Sequence, residues 1–123
     1  MQTGLTEPFQ TTHGEGSGKD SDKDDDGVAE AFSNIGNSYM SSLGFIRTGK
    51  VYSGNFGRSM RLDGLSTTNS NIRDRAIVFH GSDHVFEQNI IQGTSKGCLA
   101  FDWTIKDGII DKIQNGSLIY VGI

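Results

Sequence analysis

Apolar positions along the chain come in short runs broken by glycine and polar clusters, the pattern of brief strands joined by tight turns. "SMRLDGL" (59–65) alternates apolar and polar residues as a half-buried strand does, and "RAIVFHG" (75–81), an apolar run closed by His80 and Gly81, is the strongest strand in the sequence. "SSLGFIRTGKVYSG" (41–54) carries apolar residues on both sides of Thr48-Gly49-Lys50 and predicts a hairpin turning there. "LTEPFQTT" (5–12) holds the only proline and predicts an edge or irregular strand. "TTNSN" (67–71) reads as a turn and "SLIYVGI" (117–123) as a closing strand.

The period changes in "DWTIKDGIIDKIQNG" (102–116), which predicts the main helix. Asp102 suits its N-cap, Gly116 its C-terminal end, and Ile105, Ile109 and Ile113 repeat every four residues as a core stripe. Gly108 inside it costs about 1 kcal/mol relative to alanine. "DHVFEQNIIQG" (83–93) predicts a second, short helix, and "HGEGSGKDSDKDDDG" (13–27) a polar loop. Neither a repeat nor a linker interrupts residues 1–123, which read as one mainly β domain. "MQTG" resembles the turn of a hairpin, so the expectation is a domain lacking its first strand or strands.

Composition narrows the function classes. Glycine is the outlier, 17 of 123 residues and roughly twice average usage, which fits tight turns. Of fifteen acids and eleven bases, five acids and two bases sit in "KDSDKDDD" (19–26), leaving ten against nine elsewhere. A nearly neutral remainder has no concentrated basic face for nucleic acid. No run of 18 apolar residues is present to span a membrane, and no basic region followed by an apolar stretch marks a signal peptide in this chain.

The single cysteine, Cys98, can form no internal disulfide. It is either a small buried apolar residue or a nucleophile, and spacing alone leaves both open. A thiol attacks a carbonyl as the thiolate, so it needs a base nearby and N–H groups for the oxyanion. His80, at the end of the strongest strand, can supply the base, and "SKGC" (95–98) can supply the turn, since Gly97 permits a sharp backbone bend. The helix expected from residue 102 would place its dipole near the thiol.

His80-Gly81, fourteen residues (81–94), then Ser95-Lys96-Gly97-Cys98 resembles the His…Ser-x-Gly-Cys signature of the L,D-transpeptidases, the YkuD-like enzymes of the bacterial cell wall. "FSN" (32–34), "SSLGF" (41–45), "RLDGL" (61–65) and "RAIVFHG" follow the same order as in the murein L,D-transpeptidase catalytic-domain subfamily, and "THGEGSG" (12–18) is similar to its "HG-x-x-SG" segment. The resemblance spans residues 12 to 121. It implies a mixed β-sandwich with one C-terminal helix and a short helix near the active site. It also implies a reaction: Cys98 attacks the third-residue carbonyl of a peptidoglycan stem tetrapeptide, D-alanine leaves, and an amine on a second stem completes a 3→3 cross-link. With water as acceptor the enzyme is an L,D-carboxypeptidase. His80 would be the base, a carbonyl at Gly81 or Ser82 would orient its ring, Gly97 and Cys98 would form the oxyanion hole, and Ser95 would shape the loop. No cofactor is implied, the chain is expected to act as a monomer, and the substrate implies an extracytoplasmic location. Lys96 and Leu99 are the loop's two departures from the subfamily pattern, and Lys96 is a candidate to line the substrate groove.

Other features carry weaker chemistry. Asp22, Asp24 and Asp26 in "DKDDDG" match the start of a calcium loop, but its twelfth position is Ser33 where a bidentate glutamate is needed, so a solvated acidic insertion is the expectation. His80, His84 and Cys98 suggest zinc, yet Gly81 opposes a continuous helix and no fourth ligand stands out. Arg75 could meet a substrate carboxylate, or with Arg73 form salt bridges at a strand end. Asp83 is a candidate for orienting the loop or contacting substrate, and His13 for facing the groove. Three functions compete: the cysteine transpeptidase, another cysteine acyl-transfer enzyme, and a degenerate relative that binds peptidoglycan without turnover. A sortase-like enzyme wants an arginine after the cysteine, and none follows Cys98.

Overall fold

A computed structural model describes residues 9–17, 31–88 and 94–122. Its strands are β1 (Gly44–Gly54), β2 (Gly57–Gly64), β3 (Val78–Ser82), β4 (Leu99–Asp102) and β5 (Leu118–Val121), with helix α1 (Trp103–Ile113) between the last two. They form one mixed sheet in the order β4-β3-β2-β1-β5, antiparallel except where β3 and β4 run parallel. The mainly β class expected from the alternation holds. The calcium candidates Asp22, Asp24 and Asp26, and Met1–Pro8 with its suspected turn, lie outside the described residues.

The hairpin turn is not at Thr48-Gly49-Lys50. Strand β1 runs through those residues, and the chain reverses at Asn55-Phe56, between the paired Gly54 and Gly57. The register slips between Thr48 and Val51, so residues 48–50 form a bulge with one extra residue on β1. Distant partners hold it. Thr48 Oγ1 donates to the carbonyl of Ile113 at 2.6 Å and accepts from the Ser117 amide at 2.8 Å. The bulge thus receives the C-terminal end of α1.

Helix α1 begins where expected: the Asp102 carboxylate accepts from the Thr104 amide at 2.8 Å. Its buried face is shifted from the isoleucine stripe. Ile110 is fully buried, Ile109 and Ile113 pack at its margin, and the fourth member is Lys106, while Ile105 lies outside the core cluster. Against this face sit Ile46, Met60, Leu62, Ile72, Ile77 and Phe79. Phe79 stacks on Phe101 across the parallel pair, with centroids 4.4 Å apart. Truncating a buried phenylalanine of this kind costs about 3–5 kcal/mol.

Between β2 and β3 the "TTNSN" turn is a 3-10 turn, Thr67–Asn69, followed by further turns to Ala76. Ala76 takes a positive φ of 56°, so β3 starts at Val78 and not at residue 75. The short helix expected over 83–93 does not form in its described part: residues 83–88 make turns and bends. Residues 9–12 form no ladder. The segment instead docks beside β4, with the Thr12 amide donating to Ala100 O at 3.2 Å and a bridge between Gly14 and Ser95.

Candidate functional site

The parallel pairing of β3 and β4 decides which residues meet. His80 lies opposite Ala100, so the residue just before β4, Cys98, comes to the same end of the sheet as His80. Both line one cleft of about 440 Å³, together with Phe56, Arg75, Ser95 and Lys96.

His80 is buried on β3. Its Nδ1 lies 2.6 Å from the carbonyl oxygen of Gly81. A carbonyl can only accept, so Nδ1 carries the proton and Nε2 of the neutral ring is the acceptor. Phe56 stacks on the imidazole, centroids 4.3 Å apart and planes 17° from parallel. Burial pushes the imidazole pKa below its ordinary value; the Gly81 carbonyl opposes this, and the Lys106 charge adds to the lowering. His80 therefore rests as a neutral base.

Cys98 is half-buried and held by backbone. The Val78 amide donates to its Sγ at 3.4 Å, and the thiol donates to Ala76 O at 3.8 Å. Burial pushes the thiol pKa up, while the Val78 N–H and the Arg75 charge pull it down, with a net rise. The resting pair is thus thiol and imidazole, not an ion pair. Nor does the helix dipole assist: the four residues of β4 carry Cys98 about 13 Å from the start of α1, beyond the reach of an end-turn effect.

The loop before Cys98 is shaped by Ser95. Its Oγ donates to Cys98 O at 2.8 Å and accepts from the Gly97 amide at 3.2 Å. Gly97 has φ +112°, and a Cβ there would lie 2.9 Å from Met40 O, so the turn requires glycine. In this conformation the Gly97 N–H is engaged by Ser95 and does not point to an open oxyanion site.

The remaining candidates separate. Arg75 lines the cleft, but its terminal nitrogens donate to Ser33 O, Ser42 Oγ, Ser38 Oγ and Met40 O at 2.7–3.3 Å, so it pins the 33–42 segment rather than presenting a free fork. Arg73 pairs with Asp63 through Nε at 2.7 Å, the salt bridge weighed for it above. Asp83 accepts from the Trp103 indole N–H at 2.6 Å. Trp103 lies flat against Gly81, where a Cβ would come within 2.6 Å of the ring. Lys96 sits with Nζ 5.4 Å from the Tyr39 ring centroid and lines both this cleft and a neighbouring polar cavity of about 670 Å³. His13 does not line the Cys98–His80 cleft; it borders a different cavity, beside Leu99 and Tyr120. Among the described residues no group of three His, Cys, Asp or Glu side chains is arranged to hold a metal ion.

Three contributors escaped the sequence reading. Phe56 belongs to a two-residue turn whose signal, Gly-Asn-Phe-Gly, is legible in hindsight. The Val78 amide has no side-chain signature. Lys106 is a charged residue only 3% exposed, its Nζ donating to Arg58 O at 2.9 Å and pairing with Asp107 at 3.1 Å, and helical periodicity alone would not bury it.

Compared with known proteins, residues 4–121 match the family model described as an L,D-transpeptidase catalytic domain. No curated protein and no solved structure matches the chain.

Proposed function

The chain belongs to the L,D-transpeptidase catalytic-domain family, and from that premise we propose that it is a cysteine acyltransferase acting on peptidoglycan stem peptides outside the cytoplasm. The observation that carries the reading is the shared cleft. The only cysteine, at the entry to β4, and a neutral, carbonyl-oriented histidine on the neighbouring parallel strand β3 line it together.

In the proposed cycle the Cys98 thiol gives its proton to His80 Nε2 as Sγ bonds to the carbonyl carbon of the stem's third residue. The tetrahedral oxyanion is met by the Cys98 amide, joined by the Gly97 amide once Ser95 releases it. The C–N bond to D-alanine then breaks, and the imidazolium returns its proton to the leaving amine, leaving a thioester on Cys98. An amine from a second stem attacks the thioester, giving its proton to His80, and the thiol is regenerated. Water in place of the amine gives hydrolysis. Because thiol and imidazole both rest neutral, the sulfur is activated only as its proton leaves.

Incubation with tetrapeptide muropeptides tests this. Released D-alanine and 3→3 dimers, seen by mass spectrometry and lost in Cys98→Ala, are the expected result. A second reading, binding without turnover, is favoured by the engaged Gly97 amide and the raised thiol pKa. Muropeptide binding with no D-alanine released would establish it instead.

A further inference from the structure

Nothing about folding asks for an aromatic at the β1–β2 turn. Two-residue hairpin turns favour glycine, asparagine or aspartate. Phe56 stands there 51% exposed and contributes nothing to the core cluster. Its ring nevertheless stacks on the His80 imidazole, at 4.3 Å and 17°. The Gly81 carbonyl fixes the edge of that imidazole and Phe56 covers its face. Trp103 packs on Gly81, and a Cβ at Gly57, the residue that follows Phe56, would meet the same ring at 3.5 Å, so one side chain lies beside both segments.

We propose that Phe56 is a positioning residue for the base: the hairpin tip holds the His80 ring in plane for proton transfer and offers its π face to the imidazolium formed when Cys98 is deprotonated. This rests on the acyl-transfer reading of the same cleft. The imidazolium exists only during turnover, so an aromatic face that attracts cations favours the reacting state over the resting one. The ring also keeps water from one side of the imidazole, leaving Nε2 as its working atom.

Two readouts test this on the full chain. With tetrapeptide donor, Phe56→Ala should lower kcat about 10-fold while KM changes less than about 2-fold, Phe56→Tyr should restore most of the loss, and Phe56→Leu should not. Alkylation of Cys98 by iodoacetamide, which needs no stem peptide, should follow the same ranking. Melting temperatures equal to that of the unmodified protein exclude collapse of the fold as the cause. Unchanged kcat and alkylation in Phe56→Ala, or full rescue by leucine, would overturn the role of the ring. If the unmodified protein releases no D-alanine but its alkylation still depends on an aromatic at 56, the acyl-transfer reading fails and the role of Phe56 stands.

Discussion

His80 and Cys98 face the same cleft but are held in different ways. His80 sits inside a strand flanked by β2 and β4, its ring fixed by the Gly81 carbonyl on one edge and Phe56 on one face. Cys98 sits at the end of a loop, its sulfur touched by backbone groups of residues 76 and 78 and its carbonyl tied by Ser95. The proposed base is preset by packing, whereas the proposed nucleophile is preset by a turn that only glycine at 97 allows. A general base must be aimed before it can act, so rigidity suits His80. A nucleophile that becomes an acyl-enzyme must accommodate a new bond and an oxyanion, and a loop held by a few hydrogen bonds can adjust. The engaged Gly97 amide fits this: its bond to Ser95 Oγ is what separates the resting loop from the two-donor oxyanion site proposed for it.

Replacing the proposed base has the largest expected effect. His80→Gln should lower D-alanine release by about 10²–10⁴-fold in steady-state assays while leaving thermal stability close to that of the unmodified protein. A loss of less than about 3-fold would mean that another group takes the thiol proton. A smaller change strikes the brace behind His80. In Gly81→Ala the new methyl meets Trp103, whose indole is tied to Asp83, and should destabilise the protein by about 1–3 kcal/mol in urea denaturation. The single tryptophan makes its fluorescence the natural probe, and an unchanged midpoint would show that the ring moves freely. The subtlest effect is on pH. Burial lowers the imidazole pKa, so His80 stays a proton acceptor to pH values below the ordinary 6.5. The acid limb of kcat/KM should therefore fall below 6.5, and a limb above it would contradict the neutral resting base.

Much of this was legible in the sequence where the signal is local. The apolar run before His80 marks β3, and Asp102 with the following periodicity marks α1, because strand burial and N-capping act over a few residues. The failures share a cause. Thr48-Gly49-Lys50 has the residue types of a turn, and what makes it a bulge is hydrogen bonding to residues 113–117, more than 60 positions away. Lys106 is buried because Arg58 O and Asp107 satisfy its ammonium, which periodicity cannot register. At the site, the ordered motifs name His80 and Cys98, which line one cleft, but the environments of the two could not be read from them. The Val78 amide, the Phe56 ring and the Ser95–Gly97 bond depend on how β3 lies beside β4 and on where the hairpin tip lands.

The central claim is that Cys98 becomes acylated by the stem peptide. Intact-mass spectrometry after brief mixing with a tetrapeptide donor tests it most directly. A covalent adduct equal to the donor minus D-alanine, mapped to Cys98 and missing in Cys98→Ala, is the expected result. D-alanine release that persists in Cys98→Ala, or an adduct on another residue, would contradict it.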